Sequence, residues 1–430
     1  MSAALARTFA SLAVPNYRRY FGGQVVSITG NWMQIVAEMW LVVELTGSGV
    51  SVGFTAALQF LPILLFGAWG GLLADRLSKR RLLTITQSLM ALPALTLWAL
   101  TVSGGVEVWM VYALVLARGA ITAIDNPARQ SFAFEMVGGD RVVNAVALNS
   151  VMIHTARVLG PAAAGVVIAL LGVGPCFLIN ALSFVAMIVA LRGMDAAALQ
   201  STPRADRGRG QLRSAMRHVS STPALWIPLA MMALVGTLAF NFQVLLPLLA
   251  SFTWHGTAAT YAALTAAMGV GSILGALATG AHGRSGPRLL VASAAGFGAV
   301  MLLVAAAPTV WLQLAALVPL GAVSVAFSAG VNSAMQLAVD PVMRGRVMAL
   351  YSMVFIGSTP IGAPLVGWVA EEVGPRAGLV LGAAAALTAA AGARAAFART
   401  RATPAPARRP CESASRTRTA RRPLPQETRP

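Results

Sequence analysis

Twelve long apolar runs most strongly constrain how this 430-residue chain can fold. Lipid offers no partners for backbone N–H and C=O groups, so a spanning segment must satisfy them internally, and a helix does so by itself. One crossing takes about 20 apolar residues, and a spanning β-barrel would instead show weak alternation over segments of about ten residues. The runs therefore predict an all-α membrane protein with helices over 20–44, 50–74, 82–103, 107–127, 145–171, 175–192, 224–250, 257–280, 288–306, 309–332, 346–370 and 376–396.

The amount and the placement of charge support a lipid environment. Charged residues make up 11% of the chain, whereas soluble domains carry about 25%. The net charge is +18, which in a soluble protein would suggest nucleic acid binding. Here the basic residues lie in loops and in the tail, where they suit anionic lipid headgroups, so we expect membrane lipids and no nucleic acid as partners. The two cysteines and four histidines lack metal-ligand spacing, so no metal site or cofactor is expected.

The basic residues also predict how the chain is oriented in the membrane. If the N-terminus is cytoplasmic, nearly all Lys and Arg fall in cytoplasmic loops, and the opposite loops carry only Arg376. This alternation predicts that both termini are cytoplasmic. The Arg-rich stretch 193–222 predicts a cytoplasmic central loop with a short amphipathic helix near 210–219. The tail 397–430 is rich in Pro and Arg and predicts disorder.

An internal repeat divides the chain into two parts. The stretch from Ala147 to Ser150 is similar to the stretch from Ala349 to Ser352, which lies 202 residues later. A repeat at nearly half the chain length predicts two parallel six-helix halves, 1–192 and 223–396, with a site between them. The same distance separates three pairs of glycines: Gly160 and Gly362, Gly165 and Gly367, and Gly172 and Gly374.

The loop after the second segment reads Gly71-Leu-Leu-Ala-Asp75-Arg76-Leu-Ser78-Lys79-Arg80-Arg81. It resembles the G-x-L-A-D-R-x-G-R-K signature of the major facilitator superfamily, with Ser78 in place of the second glycine. The resemblance implies a cytoplasmic conformational latch in which Asp75 meets the N-terminus of the eleventh segment and Lys79 bridges to Asp125. Gly71 would let another helix approach closely. The alternative is a solvated loop that only sets the topology. The predicted latch residues are Gly71, Asp75, Arg76, Lys79, Arg80 and Asp125.

Further motifs resemble the exporter branch of this superfamily, which includes the enterobactin exporter and macrolide efflux proteins. They are Gly30-Asn31-Trp32, Glu44-Leu-Thr-Gly47-Ser48, Asp125-Asn-Pro-Ala-Arg129-Gln130 and Arg157-Val-Leu-Gly160-Pro161. The resemblance covers residues 15 to about 395. It implies the major facilitator fold in the bacterial inner membrane and proton-coupled export of a siderophore, macrolide or other amphipathic molecule. Gly160, Pro161 and Gly165 resemble an antiporter motif and are candidates for gating, with a kinked packing helix as the alternative.

Polar residues at helical spacing lie inside several apolar segments. In the first segment Ser27, Asn31, Gln34 and Glu38 share one face. A charged residue at mid-membrane costs about 2.5–3.5 kcal/mol, so such residues must face a cavity or each other. Glu38 is either a carboxylate that titrates during transport or half of a fixed ion pair with an arginine, and both interpretations stay open. The predicted substrate and proton pathway consists of Asn31, Gln34, Glu38, Arg118, His154, Arg157, Asn241 and Asn332.

The sequence thus predicts a secondary transporter that exports a small molecule in exchange for protons. An importer with the same fold is one alternative, because direction is not encoded in the fold. A membrane scaffold or sensor that does not transport is the other, although intramembrane charges without a pathway are costly. We find no nucleophile with a base partner and no nucleotide-binding loop in the sequence, so an enzyme is not expected.

Overall fold

The computed structural model describes residues 9–200, 211–282, 286–340 and 343–402, and all regular structure within these ranges is helical. A 3₁₀ turn at Ala10–Ala13 precedes the first helix, another at Gly139–Arg141 precedes the fifth, and a π turn at Leu249–Thr253 follows the ninth. The helices are α1 Pro15–Thr46, α2 Gly49–Arg76, α3 Lys79–Ser103, α4 Val108–Val137, α5 Val142–Leu171, α6 Gly174–Arg192, α7 Gln211–Ser221, α8 Pro223–Leu238, α9 Phe242–Leu248, α10 Ala258–His282, α11 Pro287–Ala306, α12 Val310–Ala338, α13 Arg344–Gly357, α14 Thr359–Glu372 and α15 Pro375–Ala402.

Eleven candidate membrane spans are found in the described residues by length and hydropathy, with α8, α9 and the π turn forming one span and α13 with α14 another. Besides the short α7, the helix left out is α1, which at 32 residues is long enough to cross a bilayer. The mean hydropathy of α1 is too low for a candidate span, because polar residues recur every three or four positions along it. Most of these polar residues are buried: Gln24, Ser27, Gln34 and Glu38.

The short helix predicted near 210–219 is present as α7, and the structure extends several other helices beyond the predicted ends. The fourth segment was expected to end at 127, but α4 continues through Pro127 to Val137. The added turns bury Phe132, whose ring meets Tyr20 of α1 edge-on at 5.8 Å. Pro127 has no N–H and so removes one backbone hydrogen bond from α4. The free energy gained by burying the Phe132 ring is large enough to offset that loss. The helix α15 likewise reaches Ala402, which corrects the expected start of the disordered tail. The rest of the tail lies outside the described residues.

The segment predicted as one helix over 224–250 is interrupted between α8 and α9. The side chain of Asn241 donates from Nδ2 to the carbonyl oxygen of Thr237 at 2.6 Å. In a continuous helix that oxygen would accept from the backbone N–H of Asn241 itself. An asparagine side chain that takes over a backbone acceptor competes with the helix, so the break follows from this one residue.

The eleventh predicted segment is also divided, at Ser358, between α13 and α14. Two residues later Pro360 has no N–H to donate to the carbonyl of Ile356, which removes one bond from the helix. This interruption is smaller than the one at Asn241, because Ser358 still donates its backbone N–H to Val354 at 3.0 Å.

The glycine repeat corresponds to equivalent packing in α1–α6, here called the first half, and in α8–α15, the second half. A Cβ added to Gly160 of α5 would lie 2.5 Å from the Cβ of Trp32 in α1. A Cβ added to Gly362 of α14 would collide with the carbonyl of Thr237 in α8. Each glycine thus lets its helix pack closely on the first helix of its own half.

Candidate functional site

A cavity of about 510 Å³ lies between the two halves. All of its charged lining residues come from the first half: Arg118, Asp125, Arg129 and Arg157. The second half contributes uncharged polar and aromatic side chains, among them Asn241, Gln243, Tyr261, Phe240, Phe242 and Phe355. One wall therefore carries the charged side chains, and the facing wall is uncharged and mixes aromatic with polar side chains, which suits a molecule with both a polar and an apolar part.

Behind the first-half wall, Glu38 is fully buried and held by two neighbours. Arg118 donates from Nη2 to Oε2 of Glu38 at 2.6 Å, and Gln34 donates from Nε2 to Oε1 at 2.7 Å. Gln34 in turn accepts from Nδ2 of Asn180 in α6. Arg118 faces the cavity, whereas Glu38 does not belong to its lining. The expected pairing of Glu38 with an arginine is present, and the partner is Arg118.

A second buried cluster joins α1, α3 and α4 around Asp125. The carboxylate accepts from Oγ1 of Thr86 at 2.6 Å and from Nε2 of Gln87 at 3.0 Å, and it pairs with Arg129 one turn along α4. Arg129 also donates to Gln24 of α1. The three partners of Asp125, and Gln24 behind Arg129, all belong to the first half, so Asp125 helps to fix α1, α3 and α4 to one another.

The expected bridge from Lys79 to Asp125 is wrong. Lys79 instead pairs with Glu135, which lies near the end of α4, ten residues beyond Asp125. The error follows from ending the fourth segment at 127, because the added turns of α4 carry Glu135 to the loop while Asp125 stays buried. Arg80 donates to the carbonyls of Leu191 and Arg192 at 2.7 and 2.8 Å, which ties α3 to the end of α6.

Two other predicted latch residues lie at the end of α2, where Asp75 is half-buried and Arg76 is exposed. A tight helix contact of the kind expected at Gly71 is found at the preceding residue, Gly70. A Cβ added to Gly70 would lie 2.8 Å from the carbonyl carbon of Ala123 in α4, which leaves no room for a larger residue.

Arg157 of α5 also lines the cavity. Its guanidinium lies over the ring of Trp32 with 4.9 Å between the Cζ atom and the ring centroid. Its Nε atom is buried and has no hydrogen-bond partner among the residues that the structure describes. The same holds one turn earlier for the buried Nδ1 of His154, but His154 lies outside the cavity lining.

The structure thus sorts the eight predicted pathway residues into three groups. Asn31, Arg118, Arg157 and Asn241 line the cavity. Gln34 and Glu38 lie behind its wall, and His154 and Asn332 lie outside the lining. Several lining residues were missing from the predicted pathway: Gln24, Gln59, Thr122, Arg129, Gln243 and Thr265. Helical spacing would have found Gln24, which precedes Ser27 by three residues on the polar face of α1.

The halves contact each other closely at the end of the bundle that carries the turns after α1 and α14, here called the turn end. Gly49 and Gly53 of α2 pack against the backbone of α14. A Cβ on Gly49 would lie 2.5 Å from the carbonyl oxygen of Gly367. Glu371 of α14 accepts from Oγ of Ser48 at 2.6 Å and from the backbone N–H of Val50 at 2.9 Å.

A second pair of helices meets across the halves at α5 and α10. A Cβ on Gly165 would lie 2.5 Å from the Cβ of Ala262, and one on Gly269 would lie 3.2 Å from the carbonyl oxygen of Arg157. Gly165 and Gly367 lie 202 residues apart and make equivalent cross-half contacts. The predicted gating glycine Gly165 therefore lies between the halves, whereas Gly160 packs within its own half and Pro161 lies inside an unbroken α5.

Comparisons with known proteins agree in pointing to transporters. The sequence profile of a family described as transmembrane secretion effector matches residues 6–417. The enterobactin exporter EntS of Citrobacter koseri is 25% identical over 84% of this chain and 86% of its own length. Macrolide efflux protein A of Streptococcus pyogenes is 23% identical over 82% and 89%. The staphyloferrin A transporter of Staphylococcus aureus is 31% identical, but over 40% of this chain and 44% of its own length, so the match spans less than half of that protein.

Solved structures share the fold at low sequence identity. The nucleoside transporter NupG superposes with a TM-score of 0.72 at 13% identity and covers 89% of this chain and 99% of its own. A bacterial homologue of the iron transporter ferroportin superposes in its inward-facing state with a TM-score of 0.68, at 15% identity over 89% of this chain and 98% of its own. The outward-facing state of that homologue superposes with a TM-score of 0.58, at 16% identity over 89% of this chain and 100% of its own.

Proposed function

The chain belongs to the transmembrane secretion effector family of major facilitator transporters, and on that premise we propose that it exports amphipathic small molecules from the cytoplasm in exchange for protons. It is a multi-pass membrane transporter and not an enzyme. The observation that carries the proposal is the central cavity, whose walls come from both halves and differ in character. Siderophores, macrolides and other drugs are the candidate substrates, because relatives at 23–25% identity are named for such molecules.

We propose that α1 is the twelfth span and that both termini are cytoplasmic in a bacterial inner membrane. The 32 residues of α1 are enough to cross, and its polar face is buried among other helices instead of meeting lipid. With this orientation the basic loops lie on the cytoplasmic side. The two halves are 1–192 and 223–396, and the central loop 193–222 contains α7.

The side from which the cavity is reached is proposed from where the halves touch. In this orientation the turn end faces away from the cytoplasm, and there α2 packs on α14 and Glu371 caps the start of α2. On this proposal the cavity is reached from the cytoplasmic side, where an exporter would load its substrate, and export requires the turn end to open by a rocking motion of the halves. The loop around Asp75 and Lys79 would hold the cytoplasmic side closed in the opposite state.

Replacing Glu371 with glutamine is expected to open the turn end more often. The neutral amide accepts hydrogen bonds from Ser48 and Val50 more weakly than the carboxylate does. A cysteine placed at Thr265 in the cavity should then react severalfold faster with a membrane-impermeant maleimide added to whole cells. Glu372→Gln, a change at the neighbouring exposed glutamate, is the matched control. Equal labelling rates in both variants would contradict the role of Glu371 in closure.

Transport itself is tested with inside-out membrane vesicles from an efflux-deficient bacterial host. We expect vesicles that contain the protein to accumulate at least one member of a panel of siderophores, macrolides and dyes, and a protonophore should abolish the accumulation. Vesicles without the protein are the control. Accumulation only in right-side-out vesicles would indicate an importer, and no accumulation in either orientation would contradict the proposed function.

A further inference from the structure

Arg157 is the one cavity-lining arginine that no carboxylate balances in the described part of the chain. The ion pairs found there join Lys79 to Glu135, Arg118 to Glu38 and Arg129 to Asp125. Arg157 belongs to none of them. The guanidinium lies against the Trp32 ring and forms no ion pair with any described carboxylate, and its buried Nε has no hydrogen-bond partner among the described residues.

An unbalanced guanidinium inside a membrane protein is costly, and a binding site offers a reason for keeping it. Its planar fork of N–H donors matches the two oxygens of a carboxylate or the oxygens of a phosphate or sulfonate. The interaction with Trp32 holds the guanidinium plane in place, which reduces the entropy lost when an anion binds. The residue is therefore preorganised for an anionic group.

The position of Arg157 gives such an anion access to both halves. The Arg157 carbonyl lies against Gly269 of α10, and Trp32 belongs to α1, so the side chain lies where α1, α5 and α10 meet. The residue 202 positions later in the repeat is Thr359, which also lines the cavity but carries no charge. The cavity is therefore charged on one side and neutral at the equivalent point on the other.

The second-half wall fits the remainder of such a molecule. The rings of Phe240 and Phe355 lie 5.9 Å apart, those of Phe240 and Phe242 lie 6.4 Å apart, and all three residues line the cavity. Aromatic side chains of this kind provide large flat apolar surfaces that pack on rings. The two walls together select a molecule with an anionic group at one end and an aromatic or other apolar group at the other.

We infer that Arg157 is the binding residue for an anionic group on the transported molecule, and that the apolar part of that molecule packs on Phe240, Phe242 and Phe355. This inference rests on the proposed function for what is carried, but binding can be measured without transport. It identifies the substrate class as soluble amphipathic anions with an aromatic or other apolar group.

The test measures binding of two matched probes, 2-naphthoate and its neutral analogue 2-naphthamide, to the full chain in phosphatidylcholine nanodiscs. We expect the carboxylate to bind about tenfold more tightly than the amide, a difference of about 1.4 kcal/mol, since hydrogen bonds to an ionised group are stronger than those to a neutral one. Arg157→Gln should remove the preference, and Arg157→Lys should retain part of it. Arg81→Gln, at an exposed position in the first turn of α3, is the control that should change nothing.

Equal binding of the two probes to the native chain would overturn the inference, as would a preference that survives in Arg157→Gln. Added phosphatidylglycerol distinguishes a second source of the anion. If this lipid weakens naphthoate binding to the native chain but not to Arg157→Gln, Arg157 binds a lipid headgroup and the inference about the transported molecule fails. A carboxylate preference together with a failed vesicle assay would contradict the proposed function alone.

Discussion

Gly53→Ala is expected to lower transport by about tenfold or more and to shift the protein toward a state with an open turn end. A Cβ at this position would lie 2.9 Å from both the carbonyl carbon of Ala363 and the Cα of Pro364. Both are backbone atoms of α14, so α2 and α14 must move apart to make room. Overpacking of this kind costs about 1–3 kcal/mol, and 1.4 kcal/mol corresponds to a tenfold change in an equilibrium constant.

The cost falls only on the state in which the halves touch, so the substitution changes the balance between states and not simply the overall stability. Spin labels on cysteines at Leu45 and Val373 would report the separation of the turn ends, in a background that lacks Cys176 and Cys411. We expect longer distances in Gly53→Ala than in the native background. Gly296→Ala in α11 is the matched control, because a Cβ there meets no atom within 4 Å.

This control also accounts for the gain in helix propensity that both alanines bring. An unchanged distance distribution in Gly53→Ala, with transport at the native level, would show that α2 and α14 do not form the closure proposed here. Reduced transport without longer distances would point to a local defect instead of a shift between states.

Removal of either member of the Glu38–Arg118 pair is expected to have the second large effect. Glu38 has no exposed surface, and its oxygens are occupied by Arg118 and Gln34. Deleting one partner leaves a buried charge without compensation, which destabilises proteins by about 3–5 kcal/mol. The single variants Glu38→Gln and Arg118→Gln should therefore unfold at clearly lower temperatures in detergent and should lose transport.

The double variant Glu38→Gln/Arg118→Gln separates the two roles left open for the carboxylate. With neither charge present, most of the stability should return, because the penalty comes from the unpaired partner and not from the absence of the pair. If Glu38 titrates during transport, the double variant will be stable and yet lack protonophore-sensitive uptake. If the pair is only structural, uptake will return together with stability. Glu44→Gln, a change at an exposed glutamate six residues further along α1, is the control.

The positions at which sequence reasoning erred share one cause. The break at Asn241 and the partner of Lys79 both depend on which side chain or backbone atom lies across from a residue. By charge alone, either Glu135 or Asp125 could pair with Lys79, so the sequence does not decide between them. The burial of Phe132 against Tyr20, far away in sequence, extends α4 and thereby brings Glu135 to the loop.

The sequence by itself determined that the chain lies in a membrane, where its apolar spans and its internal repeat are, and which polar residues share a helix face that must avoid lipid. These properties are local or periodic, because hydropathy sums along a segment and helical spacing assigns residues to a face. Only the tertiary structure decided that Glu38 pairs with Arg118, that Asp125 is enclosed within the first half and that no carboxylate in the described ranges pairs with Arg157. Those outcomes depend on the rotation and depth of helices that are distant in sequence, which packing sets and no single segment encodes.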